Sequence, residues 1–211
     1  MKQVKVENIG KSYDNHVVVN DFSATFEAGK VTAIIGESGS GKTTLLNLLG
    51  LIEKLDKGKI YYDSKDVSNL SKYKVMQYLR YEIAYLFQNY ALIDNETVAN
   101  NLKISLEYNK EKVNLETVLE KVNLPTSILS KKIFTLSGGE QQRVAMARVL
   151  MKPCSLVLCD EPTGNLDEHN KKEVFELLQS LANQGKIVIV VTHDKEIANM
   201  SDCVIDLMKY K

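Results

Sequence analysis

A chain of 211 residues, 44% hydrophobic and 26% charged, is long enough for one large soluble domain, with or without a small inserted lobe. Lys plus Arg and Asp plus Glu each number 27, so the formal net charge is zero and the basic excess that clamps nucleic acid is missing; no nucleic-acid partner is expected. No apolar run approaches the roughly 18 residues of a membrane span, and the alternating start lacks a signal core. The three cysteines show no metal-type spacing and suit a reducing cytoplasm, with Cys159 and Cys203 expected as buried thiols.

Alternation predicts a strand over 4–9 and a second over 16–26, broken near Asn20 and Asp21. A turn at 28–30 leads into the β-branched run 31–35, which reads as a buried parallel strand. A Gly-rich loop follows, then helical spacing over 43–49 that stops at Gly50. Next come a short strand at 59–62, a helix over 73–80 and a strand over 83–87. Residues 97–129 read as mostly helical, with Pro125 as a break. A long helix opens at 136–140 and runs to Met151, ended by Pro153. Strands at 156–160, 187–191 and 203–207 and a helix at 171–182 complete the chain. Alternating strands and helices predict an α/β fold with a mainly parallel central sheet and an N-terminal antiparallel β layer. The helical stretch 89–135 interrupts the alternation, so it reads as an inserted helical lobe, with 1–88 and 136–211 as the core.

Residues 36–43 spell Gly-Glu-Ser-Gly-Ser-Gly-Lys-Thr, a complete GxxxxGK[ST] between a strand and a helix. Gly36, Gly39 and Gly41 are expected at positive φ, turning the N–H groups of a loop that also holds Glu37, Ser38 and Ser40 toward an anion. Lys42 is expected on the β- and γ-phosphates of ATP, the Thr43 hydroxyl on Mg²⁺ and Thr44 on the α-phosphate. The apolar strand 156–160 delivers Asp160 as a Mg²⁺ partner, followed by Glu161 to polarise the attacking water. A loop opening before Pro162 is the plainer account of that acid pair.

Residues 136–143 spell Leu-Ser-Gly-Gly-Glu-Gln-Gln-Arg, a helix start that again offers free N–H groups and a hydroxyl to an anion. A second phosphate-binding helix start is redundant within one site but makes sense if it completes the site of another copy. A simple N-cap at Ser137 is the alternative.

The phosphate loop, Gln88, Leu-Ser-Gly-Gly-Glu, Asp160-Glu161, Asn165-Leu-Asp167 and His193 stand in an order that resembles the ATP-binding-cassette (ABC) ATPases over essentially the whole chain. That resemblance implies the P-loop NTPase fold of the family. It further implies that Tyr13 stacks on adenine and that Gln88 links Mg²⁺ and the attacking water to the helical lobe. Ser137, Gly138 and Gly139 would contact the γ-phosphate across a head-to-tail, ATP-sandwich dimer of two copies. Asp167 would join the two sites, and His193 would hydrogen-bond the γ-phosphate. One mild departure is Glu140, where Gln is common, although Gln141 follows.

Residues 161–167, with the Leu-Ser-Gly-Gly-Glu-Gln-Gln-Arg run, resemble the lipoprotein-release and macrolide-export type, and residues 87–94 look like the bacteriocin-export group of Gram-positive bacteria. The resemblance implies an integral membrane permease as a separate subunit, docking on the helical lobe at the cytoplasmic face of the plasma membrane. Leu92, Ile93, Leu102 and Ile104 are its candidate apolar contacts. Export of a peptide or lipophilic compound is implied, the alternative being a cell-division or envelope mechanotransmission ATPase that moves no substrate. The chain ends just after its last strand, so no regulatory C-terminal domain is expected.

Overall fold

The computed structural model describes residues 1–14, 16–107, 109, 113–164 and 166–210. β1 (Gln3–Tyr13) and β2 (His16–Glu27) form an antiparallel pair longer than the alternation implied. Asn8 and Asp21 sit at φ of 47° and 46°, a left-handed conformation that short polar side chains tolerate. The expected break at Asn20 and Asp21 is therefore absorbed as a slip in register inside one continuous strand.

β3 (Val31–Ile35) leads through the Gly-rich loop into α1 (Lys42–Leu49). β4 (Lys57–Tyr62) pairs with the free side of β1, and β5 (Lys65–Asp66), too short for any periodic signal, pairs with β4. These complete the antiparallel layer, order β2-β1-β4-β5. After α2 (Lys72–Tyr81) and β6 (Ile83–Leu86), the stretch read as helical resolves into α3 (Val98–Leu106), α4 (Leu115–Lys121) and two 3-10 turns, the first beginning after Pro125.

α5 (Gly138–Met151), β7 (Leu156–Asp160), α6 (Glu168–Asn183), β8 (Ile187–Thr192), α7 (Lys195–Met200) and β9 (Cys203–Asp206) follow. The second sheet has the order β6-β7-β8-β3-β9 and every pairing in it is parallel.

Burial is continuous along β7 and β8 because both faces are covered. Leu156 and Leu158 of β7 and Ile187 and Ile189 of β8 face a core shared with α1 and with Val4, Phe22 and Phe26 of the antiparallel layer. Leu45, Leu46, Leu48 and Leu49 thus wedge α1 between the two sheets. Val157, Cys159, Val188 and Val190 face the other way, onto Met146 of α5 and Phe175 and Leu178 of α6. Val98, Leu102, Val118 and Leu119 of α3 and α4 belong to this second core, so Leu102 is interior rather than a surface contact. Cys159 is buried as expected, but Cys203 is only partly so, because β9 is an edge strand.

No helix among the described residues is long and apolar enough to cross a membrane. The sheet order matters most for function. β7, β8 and β3 are neighbours and parallel, with Asp160 level with Val191 and Ile35 level with Thr192. The three loops leaving their carboxyl ends are thereby delivered to one crevice.

Candidate nucleotide-binding site

The first loop in that crevice follows β3. Gly39 and Gly41 take φ of 76° and 93°, as expected of a loop turning its amides inward. Gly36 does not, which corrects one expectation: it is needed for close approach, since a Cβ there would stand 2.5 Å from Ser40 Oγ. Ser40 is itself 1% exposed, and its hydroxyl has no hydrogen-bond partner among the described residues. Behind the loop, α1 starts on Gly41 with no side-chain cap and no acidic residue in its first turn. Its leading N–H groups and the positive end of its dipole are therefore open to an anion.

Lys42 is almost buried, and its Nζ donates to the carbonyls of Gly36 (2.8 Å) and Glu37 (2.9 Å). The same ammonium lies 4.0 Å from Glu161 Oε1, arriving from the end of β7. Thr43 Oγ1 donates to Asp160 Oδ1 at 3.2 Å. Burial pushes the Asp160 carboxyl up, and the Thr43 bond works against that rise.

Glu161 is held from three sides. Its N–H donates to the Val191 carbonyl (2.9 Å), Oε2 accepts from Thr192 Oγ1 (3.1 Å) and the His193 amide (3.4 Å), and Oε1 lies 2.9 Å from His193 Nδ1. Its φ of 47° is unfavourable for a non-glycine residue ahead of proline, a strain of about 1–3 kcal/mol that persists only where neighbours over-determine it.

These groups surround one cavity of ≈ 500 Å³, lined among others by Gly39, Lys42, Thr43, Gln88, Glu161 and His193. Ser38, Ser40, Gly41 and Thr44 line it too, as does Lys171, paired with Asp194 at 2.5 Å. The donor set fits a hard cation only in part. No group of three or more His, Cys, Asp and Glu gathers among the described residues, so Thr43 and Asp160 would hold a cation jointly with phosphate oxygens.

Ser137, Gly138, Gly139, Asp167 and Tyr13 lie away from this lining, and Gly36, Glu37 and Asp160 do not line it either. Ser137, Gly138 and Gly139 form the start of α5, where Ser137 N–H (2.7 Å) and Oγ (2.8 Å) donate to Glu140 Oε2 and the Glu140 N–H donates back to Ser137 Oγ (3.3 Å). Asp167 caps α6, accepting from the Asn170 N–H at 2.9 Å. Asn165 lies outside the described residues. Tyr13 ends β1 with its ring partly exposed and its hydroxyl donating to Glu53. Two residues escaped the sequence reading, Thr192 and Gln142. Thr192 is the one hydroxyl ending an apolar strand, a signal that was available. Gln142, part of the 136–143 run but given no role of its own there, is buried on α5 and donates from Nε2 to the Pro162 carbonyl.

A parallel sheet with a glycine cradle before an uncapped helix and an acid on the neighbouring strand defines a P-loop nucleotide-binding protein. The sequence profile of the ABC transporter family matches residues 19–164, and the chain belongs to that family. It is 37% identical over 194 residues to a macrolide export ATP-binding/permease protein, MacB, of Shewanella sp. (strain W3-18-1), covering 90% of this chain. The chain spans only 30% of that relative's length. The ABC transporter ATP-binding protein YxdL of Bacillus subtilis (strain 168) is 36% identical over 199 residues, covering 90% of this chain and 77% of the relative. Among solved structures, a bacterial ABC transporter cassette determined as a dimer superposes with a TM-score of 0.88 at 30% identity, covering 96% of this chain and 93% of that one. The same cassette has been solved as a dimer in a post-hydrolysis state bound to ADP and Pi.

Proposed function

We propose that this chain is the ATP-binding and ATP-hydrolysing subunit of an ABC transporter, acting as an ATP-sandwich dimer that powers export of a peptide or lipophilic compound through a separate permease. The observation that carries the reading is the convergence on one cavity of Lys42, Thr43, which is bonded to Asp160, and the Glu161–His193 pair. In this reading the loop amides, the start of α1 and Lys42 bind the phosphates, and Thr44 adds a hydroxyl. Thr43, Asp160 and Gln88 hold Mg²⁺, which neutralises phosphate charge when bound. Glu161 takes the proton of the attacking water, and His193, steadied through Nδ1, meets the γ-phosphate.

The dimer reading draws on the start of α5. A Cβ on Gly138 would meet nothing within 4 Å, and its φ is not positive, so nothing in this chain's own packing requires glycine there. A requirement from outside, the phosphate of a second copy's nucleotide, supplies the missing reason, and the dimeric cassettes support it. Asp167 in this reading joins the two sites, and Tyr13 carries adenine.

Residues 89–135 form the helical lobe in this proposal and carry the permease contact. Ile104, 42% exposed, lines a groove of ≈ 470 Å³ with Met76 and Phe87, next to Gln88. Ile93 is similarly exposed, whereas Leu92 packs on the core. A membrane permease partner, like the permease part of the macrolide export ATP-binding/permease relatives, would hold the chain at the cytoplasmic face of the membrane. The test is ATP turnover by the purified chain with Mg²⁺ present. Turnover should be Mg²⁺-dependent and fall about 10²–10⁴-fold in Glu161→Gln; turnover by that variant at the unsubstituted rate contradicts the proposal.

A further inference from the structure

Glu161 and the start of α5 act, in the reading above, on two different nucleotides, yet one chain carries both. Their physical link within that chain is Gln142. Its Nε2 donates to the carbonyl of Pro162, the residue after Glu161. The next residue, Arg143, donates from Nη1 to Asn170 Oδ1 (3.1 Å), and Asn170 in turn donates through Nδ2 to Asp167 Oδ2 (2.7 Å). Two consecutive side chains of α5 therefore reach the chain after Glu161, Gln142 at Pro162 directly and Arg143 at Asp167 through Asn170.

The amide is an odd choice on stability grounds. Gln142 is 1% exposed, and its Oε1 has no hydrogen-bond partner among the described residues. Burying a carboxamide with an unsatisfied acceptor is unfavourable compared with an apolar side chain of the same volume. The Pro162 carbonyl is what the donor gains, and that carbonyl belongs to the backbone that holds Glu161 at its left-handed φ of 47°. The Val191 carbonyl restrains Glu161 from the β8 side. Gln142 restrains the other side and is the restraint that belongs to α5.

We infer that Gln142 is a positioning residue for hydrolysis: its carboxamide ties the placement of Glu161 to the position of the α5 start, so that engagement of Ser137–Gly139 by one nucleotide sets the base that acts on the other. It touches no reacting atom and works only through Glu161. The inference rests on the assignment of Glu161 as the base.

The test is a double-mutant cycle on the full chain with Gln142→Met, which keeps the volume and removes the donor, and Glu161→Gln. Gln142→Met should lower kcat about ten- to a hundredfold, the range that a small misplacement of a catalytic group produces, with KM for ATP within about twofold. On the Glu161→Gln background it should lower the residual rate no further, and ATP should still drive dimer formation. A thermal midpoint at or above that of the unsubstituted chain accompanies this, because the unsatisfied acceptor is gone. Gln142→Leu, which removes the donor and the unsatisfied acceptor together, is the second variant. Turnover by Gln142→Met at the unsubstituted rate overturns the inference, as does an equal fold loss on the Glu161→Gln background. Misfolding of both variants also overturns it, since the amide would then be structural. Unimpaired turnover by Glu161→Gln alone would instead remove the base assignment, so the two failures are distinguishable.

Discussion

Replacing Gly138 with alanine separates what the fold needs from what the site needs. Gly138 is the first residue of α5, and the added Cβ meets no atom within 4 Å. Its backbone φ is not positive, so alanine incurs no left-handed penalty. Alanine also restricts the unfolded chain, which stabilises the folded one by about 0.4–1 kcal/mol. For a domain of this length that corresponds to a rise in melting temperature of about 1–4 °C. The same methyl stands at the helix start, capped by Ser137 and Glu140, that the proposal presents to a partner's phosphate. There it should reduce ATP turnover about tenfold, equivalent to about 1.4 kcal/mol of lost transition-state binding. Calorimetry without nucleotide gives the first quantity and a steady-state phosphate-release assay the second. A variant that is more stable yet slower carries the reasoning. A Gly138→Ala protein that is destabilised, or that turns over ATP at the unsubstituted rate, refutes it.

Gly39 and Gly41 should respond differently from one another. Gly39→Ala costs about 1–2 kcal/mol for its φ of 76° alone, having no atom within 4 Å of its Cβ. Gly41→Ala adds a Cβ 2.7 Å from Val18 Cγ1 and 2.8 Å from the Val18 carbonyl, so thermal melts should show the larger drop for Gly41. Lys42→Ala removes the charged donor of the cradle and should weaken ATP binding about ten- to a hundredfold by titration calorimetry; unchanged affinity contradicts the assignment. The hydrogen bonds from Ser137 hold the Glu140 carboxyl below its ordinary 4.5. A folded-state value below the unfolded one means the stabilisation is complete above that ordinary value and is lost as pH falls through the depressed one. Glu140→Ala should therefore cost about 0.3–1.5 kcal/mol near neutral pH, and the difference from the unsubstituted chain should shrink at strongly acidic pH in paired melting curves.

The legible parts of the sequence were those whose physics is local. Strand β8 declares itself because five apolar residues in a row have to be buried on both faces, and α5 because Ser137 and Glu140 form a reciprocal cap. The phosphate loop was legible because its glycines and Lys42 act within a few positions of each other. What escaped depends on partners far along the chain. The two residues of β5 form a strand only because β4 offers an edge, and α7 is a six-residue helix capped by Asp194. Gly36 was assigned the wrong reason because a close approach by Ser40 Oγ and a positive φ both demand glycine, and the sequence cannot separate them. Leu102 and Ile104 both looked like apolar surface contacts, yet they fall on different faces of α3, one buried and one exposed. Gln142 sits in a recognisable run, but its role is not legible there because it is set by the Pro162 carbonyl, 20 residues further along the chain.

The central claim is that one copy contains only part of an active site and that ATP assembles the rest from a second copy. Light scattering on the Glu161→Gln chain, with ATP and without, tests this most directly. The account predicts a monomer without nucleotide, a stable dimer with ATP, and loss of that dimer when Ser137→Arg is added while ATP still binds. A Glu161→Gln chain that binds ATP and stays monomeric, or a dimer indifferent to Ser137→Arg, would contradict it.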